Sequence, residues 1–279
     1  MKTLLIPVNF SGSSENIIQY AADFSCDTHV ERIILLKSFY VSVYTQLLPD
    51  ADFVQLSADE IEGEKQDELD KLKALGQQLL KKCLPIIRIK TVISELPLLR
   101  AVHQVLGDEQ ADVVMIGTDK ALYENDPYIS EQIIAIAKTS PRPVMIIPNH
   151  IRYKKMEEAI VPCDFSAISR LNAFKTYGDP AKWLHPKLLL LNVDAKKKHH
   201  EDDPKIANGL KDLMEGYEYK VYYSEDKDTV HGILDFARKH NPQLIIALPG
   251  KYSFFYNLTH RSITKALTLN SDRPVLILK

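Results

Sequence analysis

The sequence predicts an α/β protein built from two doubly wound, five-stranded parallel-sheet domains in tandem, Rossmann-like in layout. Three observations predict it: strand-like and helix-like stretches alternate along the chain, the strand-like stretches are unbroken apolar runs, and the whole pattern occurs twice. Alternation gives βαβ units. Unbroken runs such as Val113-Val114-Met115-Ile116 suit strands covered by helices on both faces. The repeat is explicit. Thr3-Leu4-Leu5-Ile6-Pro7-Val8-Asn9-Phe10-Ser11 returns as Glu158-Ala159-Ile160-Val161-Pro162-Cys163-Asp164-Phe165-Ser166, and Arg142-Pro143-Val144-Met145-Ile146-Ile147 returns as Arg273-Pro274-Val275-Leu276-Ile277-Leu278. Matched landmarks at both ends of each half indicate duplication of a whole domain. The expected division is 1–150 and 151–279, joined by the short polar link Pro148–Lys155.

In order, the first half is expected to hold strands near 2–8, 32–39, 86–92, 112–117 and 143–147, with helices near 13–26, 57–83, 96–106 and 128–139. The second half is expected to hold strands near 157–162, 187–193, 218–224, 243–248 and 274–278, with a reduced second helix. Ser11 and Ser166 stand where a helix N-cap would satisfy free N–H groups. Ser57-Ala58-Asp59-Glu60 has capping-box spacing, and Leu69, Leu72, Leu75, Leu79 and Leu80 follow at helical intervals as a core stripe. Pro97 and Pro127 fall in first turns, where proline costs little.

Composition narrows the function. With 279 residues, 45% apolar and 26% charged, the chain can bury a large core without staples. A net charge of −2, spread along the chain, lacks the basic field that nucleic acid requires. Three scattered cysteines, Cys26, Cys83 and Cys163, form no zinc-ligand pair. Cys163, at a strand end beside a loop, reads as a small buried hydrophobe rather than a reactive thiol. No stretch has the length of a membrane span or a signal peptide, so a cytoplasmic protein without membrane contact is expected. Lys196–Asp203 contains adjacent histidines but no further ligand set, and reads as a solvated loop. No serine or cysteine stands in a nucleophile-elbow setting.

The strand–Pro-x-Asx-Phe-Ser opening, the five-strand order and the closing Arg-Pro-Val segment, each present twice, resemble the universal stress protein family over essentially the whole chain. One subclass of that family binds ATP through Gly-x-x-Gly, nine residues, then Gly-Ser or Gly-Thr after the fourth strand, with an Asp after the first. Glycines let backbone N–H groups approach phosphates beside a helix N-terminus. On that spacing the first half reads Gly117-Thr118-Asp119-Lys120, nine residues, then Ser130-Glu131, with Asn9 in the Asp position. The second reads Leu248-Pro249-Gly250-Lys251, nine residues, then Arg261-Ser262, with Asp164 in place. Glycines are lost in both halves. The resemblance therefore implies a non-catalytic stress-response or regulatory module acting through a protein partner, with no cofactor and with ATP disfavoured. The alternative is a nucleotide- or anion-binding switch with a modified site in the second half. If either half binds an anion, the candidate residues are Asn9, Gly117, Lys120, Ser130, Asp164, Lys251, Arg261 and Ser262. The resemblance also implies that the last strands of the two halves pair about a pseudo-two-fold axis, and it allows a further dimer of whole chains. Two apolar connections, 40–55 and 252–258, are candidate lids or contact surfaces.

Overall fold

The structure, a computed structural model, describes residues 2–10, 12–41, 57–83, 86–118, 127–174, 183–194, 204–248 and 271–279. The apolar runs form strands because they are buried on both faces: Leu4, Leu5 and Ile6 are fully buried, as are Ile33 to Leu36 and Leu188 to Leu191. In chain order the first half contains β1 (Thr3–Pro7), α1 (Gly12–Thr28), β2 (Arg32–Ser38), α2 (Ala58–Lys82), β3 (Arg88–Ser94), α3 (Leu98–Glu109), β4 (Val113–Thr118), α4 (Pro127–Thr139) and β5 (Val144–Pro148). The second contains β6 (Glu158–Pro162), a 3-10 helix (Phe165–Asn172), β7 (Lys187–Val193), α5 (Pro204–Leu213), β8 (Tyr219–Ser224), α6 (Thr229–His240), β9 (Leu244–Ala247) and β10 (Val275–Ile277). Every strand expected from the sequence is present within two residues of its expected bounds.

The strands form one ten-stranded sheet in the order β3-β2-β1-β4-β5-β10-β9-β6-β7-β8. Within each half the described pairings are parallel; β5 and β10 join the halves antiparallel, with Val144 opposite Ile277, Met145 opposite Leu276 and Ile146 opposite Val275. The expected pseudo-two-fold pairing of last strands is thus the observed seam, and each strand covers what would be the other's open edge. Side-chain alternation divides the core between the two faces of the sheet. Leu4, Ile6, Met145 and Leu276 belong to one cluster, and Leu5, Val144, Ile146, Val275 and Ile277 to the other.

Both seam strands are preceded by the same turn. Ser140 Oγ donates to Arg142 O at 2.7 Å and accepts from Arg142 N at 3.1 Å; Ser271 and Arg273 repeat this at 2.8 and 3.0 Å. The proline after each arginine ends the turn and starts the strand without needing a donor. The Ser57–Glu60 capping box forms in full, with Ser57 Oγ accepting from Glu60 N and Glu60 accepting from Ser57 N. Of the expected leucine stripe on α2, Leu72 and Leu79 are fully buried and Leu75 packs partly, but Leu80 is exposed, because it sits one position round the helix from Leu79. Pro97 is the N-cap of α3, and Pro127 opens α4.

The halves differ where the second is shorter. Its second helix, α5, has 10 residues against 25 in α2. Where the first half has α1, the second has the 3-10 helix, and Ser166 lies inside it rather than at a helix N-cap. Ser11 lies outside the described residues, as do Lys196–Asp203, segment 252–258 and most of 40–55.

Candidate functional site

In an open parallel sheet, ligands bind where neighbouring strands send their connections to opposite sides, beyond the strands' carboxyl ends. Here that place is the end of β1 and β4 in the first half and of β6 and β9 in the second.

In the first half the crevice brings together Pro7, Asn9 and Ser14 from the β1–α1 corner, Gly117 from β4 and Gln132 from α4. Two residues singled out by sequence, Asn9 and Gly117, therefore line one crevice although 108 positions separate them. The described residues enclose only about 70 Å³. Ser14, which also lines the crevice, engages Asn9: its Oγ donates to Asn9 Oδ1 at 2.9 Å and accepts from Asn9 N at 3.2 Å. Ser14 is buried and Asn9 is exposed. The polar end of the asparagine is thus held by its own turn. The next residue, Phe10, has φ +58°, a left-handed conformation uncommon outside glycine and asparagine, and Lys37 Nζ lies 4.7 Å from its ring centre. Lys37 also pairs with Glu68 at 2.7 Å, which ties this corner to α2. Ser130 falls in the first turn of α4 and Glu131 is exposed beside it; Lys120 lies outside the described residues.

In the second half β6 leads into Cys163 and Asp164. Cys163 N donates to Leu191 O at 2.9 Å, as Val8 N does to Leu36 O in the first half. The Cys163 thiol is buried, and burial together with the neighbouring Asp164 pushes its pKa well above the ordinary thiol range. Its position is that of the small buried packing group the sequence reading expected. Asp164 is partly exposed and stands one residue past the end of that strand contact. Lys251, Arg261 and Ser262 lie outside the described residues.

A further group of titratable residues, at the start of α6, has structural work. His231 Nδ1 and Asp226 Oδ2 are 2.6 Å apart. Asp226 also accepts from Asp228 N, and Asp228 accepts from His231 N as the N-cap of α6. The pair is an interlocked helix start on the surface, and His231 holds the Asp226 carboxyl below its usual range. Among the described residues no group of three His, Cys, Asp or Glu side chains is placed to hold a metal ion. Among them too, no helix is long and apolar enough to cross a membrane.

Crevice, strand order and seam together define a tandem α/β fold of the universal stress protein type. Among the solved structures that share it over the full chain are a universal stress protein from Archaeoglobus fulgidus DSM 4304 (18% identity, 99% of this chain and 98% of that one, TM-score 0.69) and a putative universal stress protein from Pseudomonas aeruginosa UCBPP-PA14 (12% identity, 100% and 93%, TM-score 0.53). The cytoplasmic domain of a prokaryotic cation chloride cotransporter has it too (12% identity, 99% and 94%, TM-score 0.51). No family model and no curated protein matches the sequence. At these identities the likeness is one of fold.

Proposed function

We propose that the chain is a non-catalytic regulatory module of the stress-response kind, cytoplasmic, acting through a protein partner rather than through chemistry on a substrate. The observation that carries this is the closed corner at the first switch point. Ligand pockets usually offer ~300–1,000 Å³. The crevice that the described residues form there offers about 70 Å³, and Ser14 already holds the Asn9 side chain. The loss of loop glycines in both halves supports the same reading, because bulkier residues keep backbone amides away from phosphate. A net charge of −2 argues against a nucleic-acid partner. A second copy of the chain is a further partner that this reading allows.

A rival reading rests on Asp164, which stands after β6 where the resemblance places a ribose-facing carboxylate. In it the second half is an anion or nucleotide switch that uses Asp164, Lys251, Arg261 and Ser262. Calorimetric titration with ATP, ADP and AMP separates the two. The regulatory reading expects no saturable binding at the switch points up to roughly 1 mM ligand, a free energy of about −4 kcal/mol. Saturable micromolar binding that Arg261→Ala abolishes overturns it in favour of the switch.

A further inference from the structure

A second, larger cleft lies away from both switch points, where the link between the halves crosses the amino-terminal ends of β9 and β10. Its volume is about 410 Å³, within the range of small-molecule sites. Three parts of the chain build it. Tyr20 comes from α1, His150, Arg152 and Lys154 come from the link, and Asn241 and Arg273 come from the second half.

The walls are held firmly. Asn16 Nδ2 donates to Pro148 O at 3.3 Å and Ile151 O at 3.1 Å, which fixes the start of the link on α1. Tyr153 packs edge-on against Tyr20 and Phe24, and its hydroxyl donates to Asp27. Gln243 Oε1 accepts from Glu157 N at 3.0 Å and Glu158 N at 2.9 Å, which fixes the far end of the link on the second half. With both ends and Tyr153 pinned, Arg152 and Lys154 are presented on either side of an anchored residue.

The charges inside are unmatched. Arg152 and Lys154 have no hydrogen bond or ion pair with any described residue, and both are exposed. Arg273 spends one Nη2 donor on Asn241 Oδ1 at 2.7 Å and one Nη1 donor on Asp272 O at 2.9 Å, which leaves three of its five N–H groups. Among the described residues no carboxylate lines the cleft; Asp272 borders it, 3.9 Å from His150 Nε2.

An independent observation points to a ligand. The Tyr20 side chain is 1% exposed, and its hydroxyl has no hydrogen-bond partner. A buried, unsatisfied hydroxyl is costly and is retained where something else satisfies it. Burial, with Tyr153 beside it, raises the Tyr20 pKa well above the phenol range, so the group is a neutral donor.

We propose that this cleft binds a small oligophosphate anion, with Arg152, Lys154 and Arg273 taking the phosphoryl oxygens and the Tyr20 hydroxyl donating to one of them. Three separated cations around one cleft suit several phosphoryl groups on a short ligand. A polymeric polyanion would need an extended basic face, which the balanced charge of this chain does not supply. Because the cleft joins both halves through the link, the ligand acts as a clamp across the seam. This goes beyond the partner-binding reading and does not depend on it.

The test is calorimetric titration of the full chain with sodium tripolyphosphate at low salt, with thermal unfolding measured alongside. The expected result is one saturable site, a raised unfolding midpoint with ligand, and weaker affinity at higher salt. The double variant Arg152→Ala/Lys154→Ala, altered only at exposed side chains, should bind at least about tenfold more weakly. Tyr20→Phe should bind a few-fold more weakly while its ligand-free midpoint is unchanged or higher, since the hydroxyl it removes is unsatisfied. Absence of saturable binding, or affinity indifferent to the double variant, overturns the proposal. Affinity that survives the double variant and is lost in Arg261→Ala places the anion at the second switch point, overturning this proposal and the partner-only reading together.

Discussion

The seam between β5 and β10 carries a quantitative prediction. Met145 and Leu276 are both 0% exposed and stand directly opposite each other. Ile245 N donates to Pro274 O and Leu278 N donates to Ala247 O, each at 3.0 Å, so the even-numbered backbone groups of β10 face β9. Alternation then turns Val275 and Ile277 toward β5 and makes Met145–Leu276 a non-hydrogen-bonded pair, the kind in which side chains approach most closely. A proline at Leu276 would therefore damage β9–β10 pairing inside the second half, whereas alanine tests the seam itself. Each alanine removes a fully buried side chain from a close-packed layer, for an expected loss of ~2–5 kcal/mol. For a chain of this size ~3 kcal/mol corresponds to a midpoint shift of roughly 6–12 °C. The decisive quantity is the coupling in the cycle Met145→Ala, Leu276→Ala and both together, measured by urea unfolding followed by circular dichroism. Contacting residues give ~0.5–3 kcal/mol of coupling. If the three losses add within about 0.3–0.5 kcal/mol, the two side chains do not pack across the seam and the reasoning fails.

Three further predictions test local packing and thiol burial. A Cβ at Gly232 would lie 2.9 Å from Val193 Cγ1 and 3.0 Å from Asp226 Cβ, so Gly232→Ala should cost about 1–3 kcal/mol. Gly63, on the exposed face of α2, has nothing within 4 Å of its Cβ position; Gly63→Ala should add about 0.5–1 kcal/mol, and urea midpoints moving the other way would refute either assignment. Cys163 should stay unmodified by a thiol reagent at pH 8 in the folded protein and react on denaturation, because burial keeps it protonated; fast native labelling at Cys163 would contradict the packing.

Much of the fold was legible because it is written in short-range pattern. Two-sided burial demands unbroken apolar runs, so Leu188–Leu191 and Val113–Ile116 announce themselves as central strands. The Ser57–Glu60 capping box needs four consecutive residues and forms as its spacing predicts. Prolines before Val144 and Val275 mark where seam strands begin, and the matching serine turns lie in the same repeated landmark. Spacing was weaker where a neighbour decides the outcome. Leu80 keeps the helical interval yet is exposed, because it lies one position round the helix from the fully buried Leu79. The near-identical openings Asn9-Phe10-Ser11 and Asp164-Phe165-Ser166 part company: Phe10 takes a left-handed turn into a full helix, whereas Phe165 is buried edge-on against Tyr223 and begins a 3-10 helix.

By itself, the sequence determined the duplication, the ten strands and the α/β layering, since each depends on residue type at fixed local spacing. Tertiary structure decided what those spacings cannot encode. It joined β5 to β10 in one continuous sheet, and it brought Asn9, Ser14 and Gly117 to one crevice. It also gathered Tyr20, Arg152, Lys154 and Arg273 around a single cleft, although no local motif links them. Their proximity follows only from where the link between halves is pinned, by Asn16 at one end and Gln243 at the other.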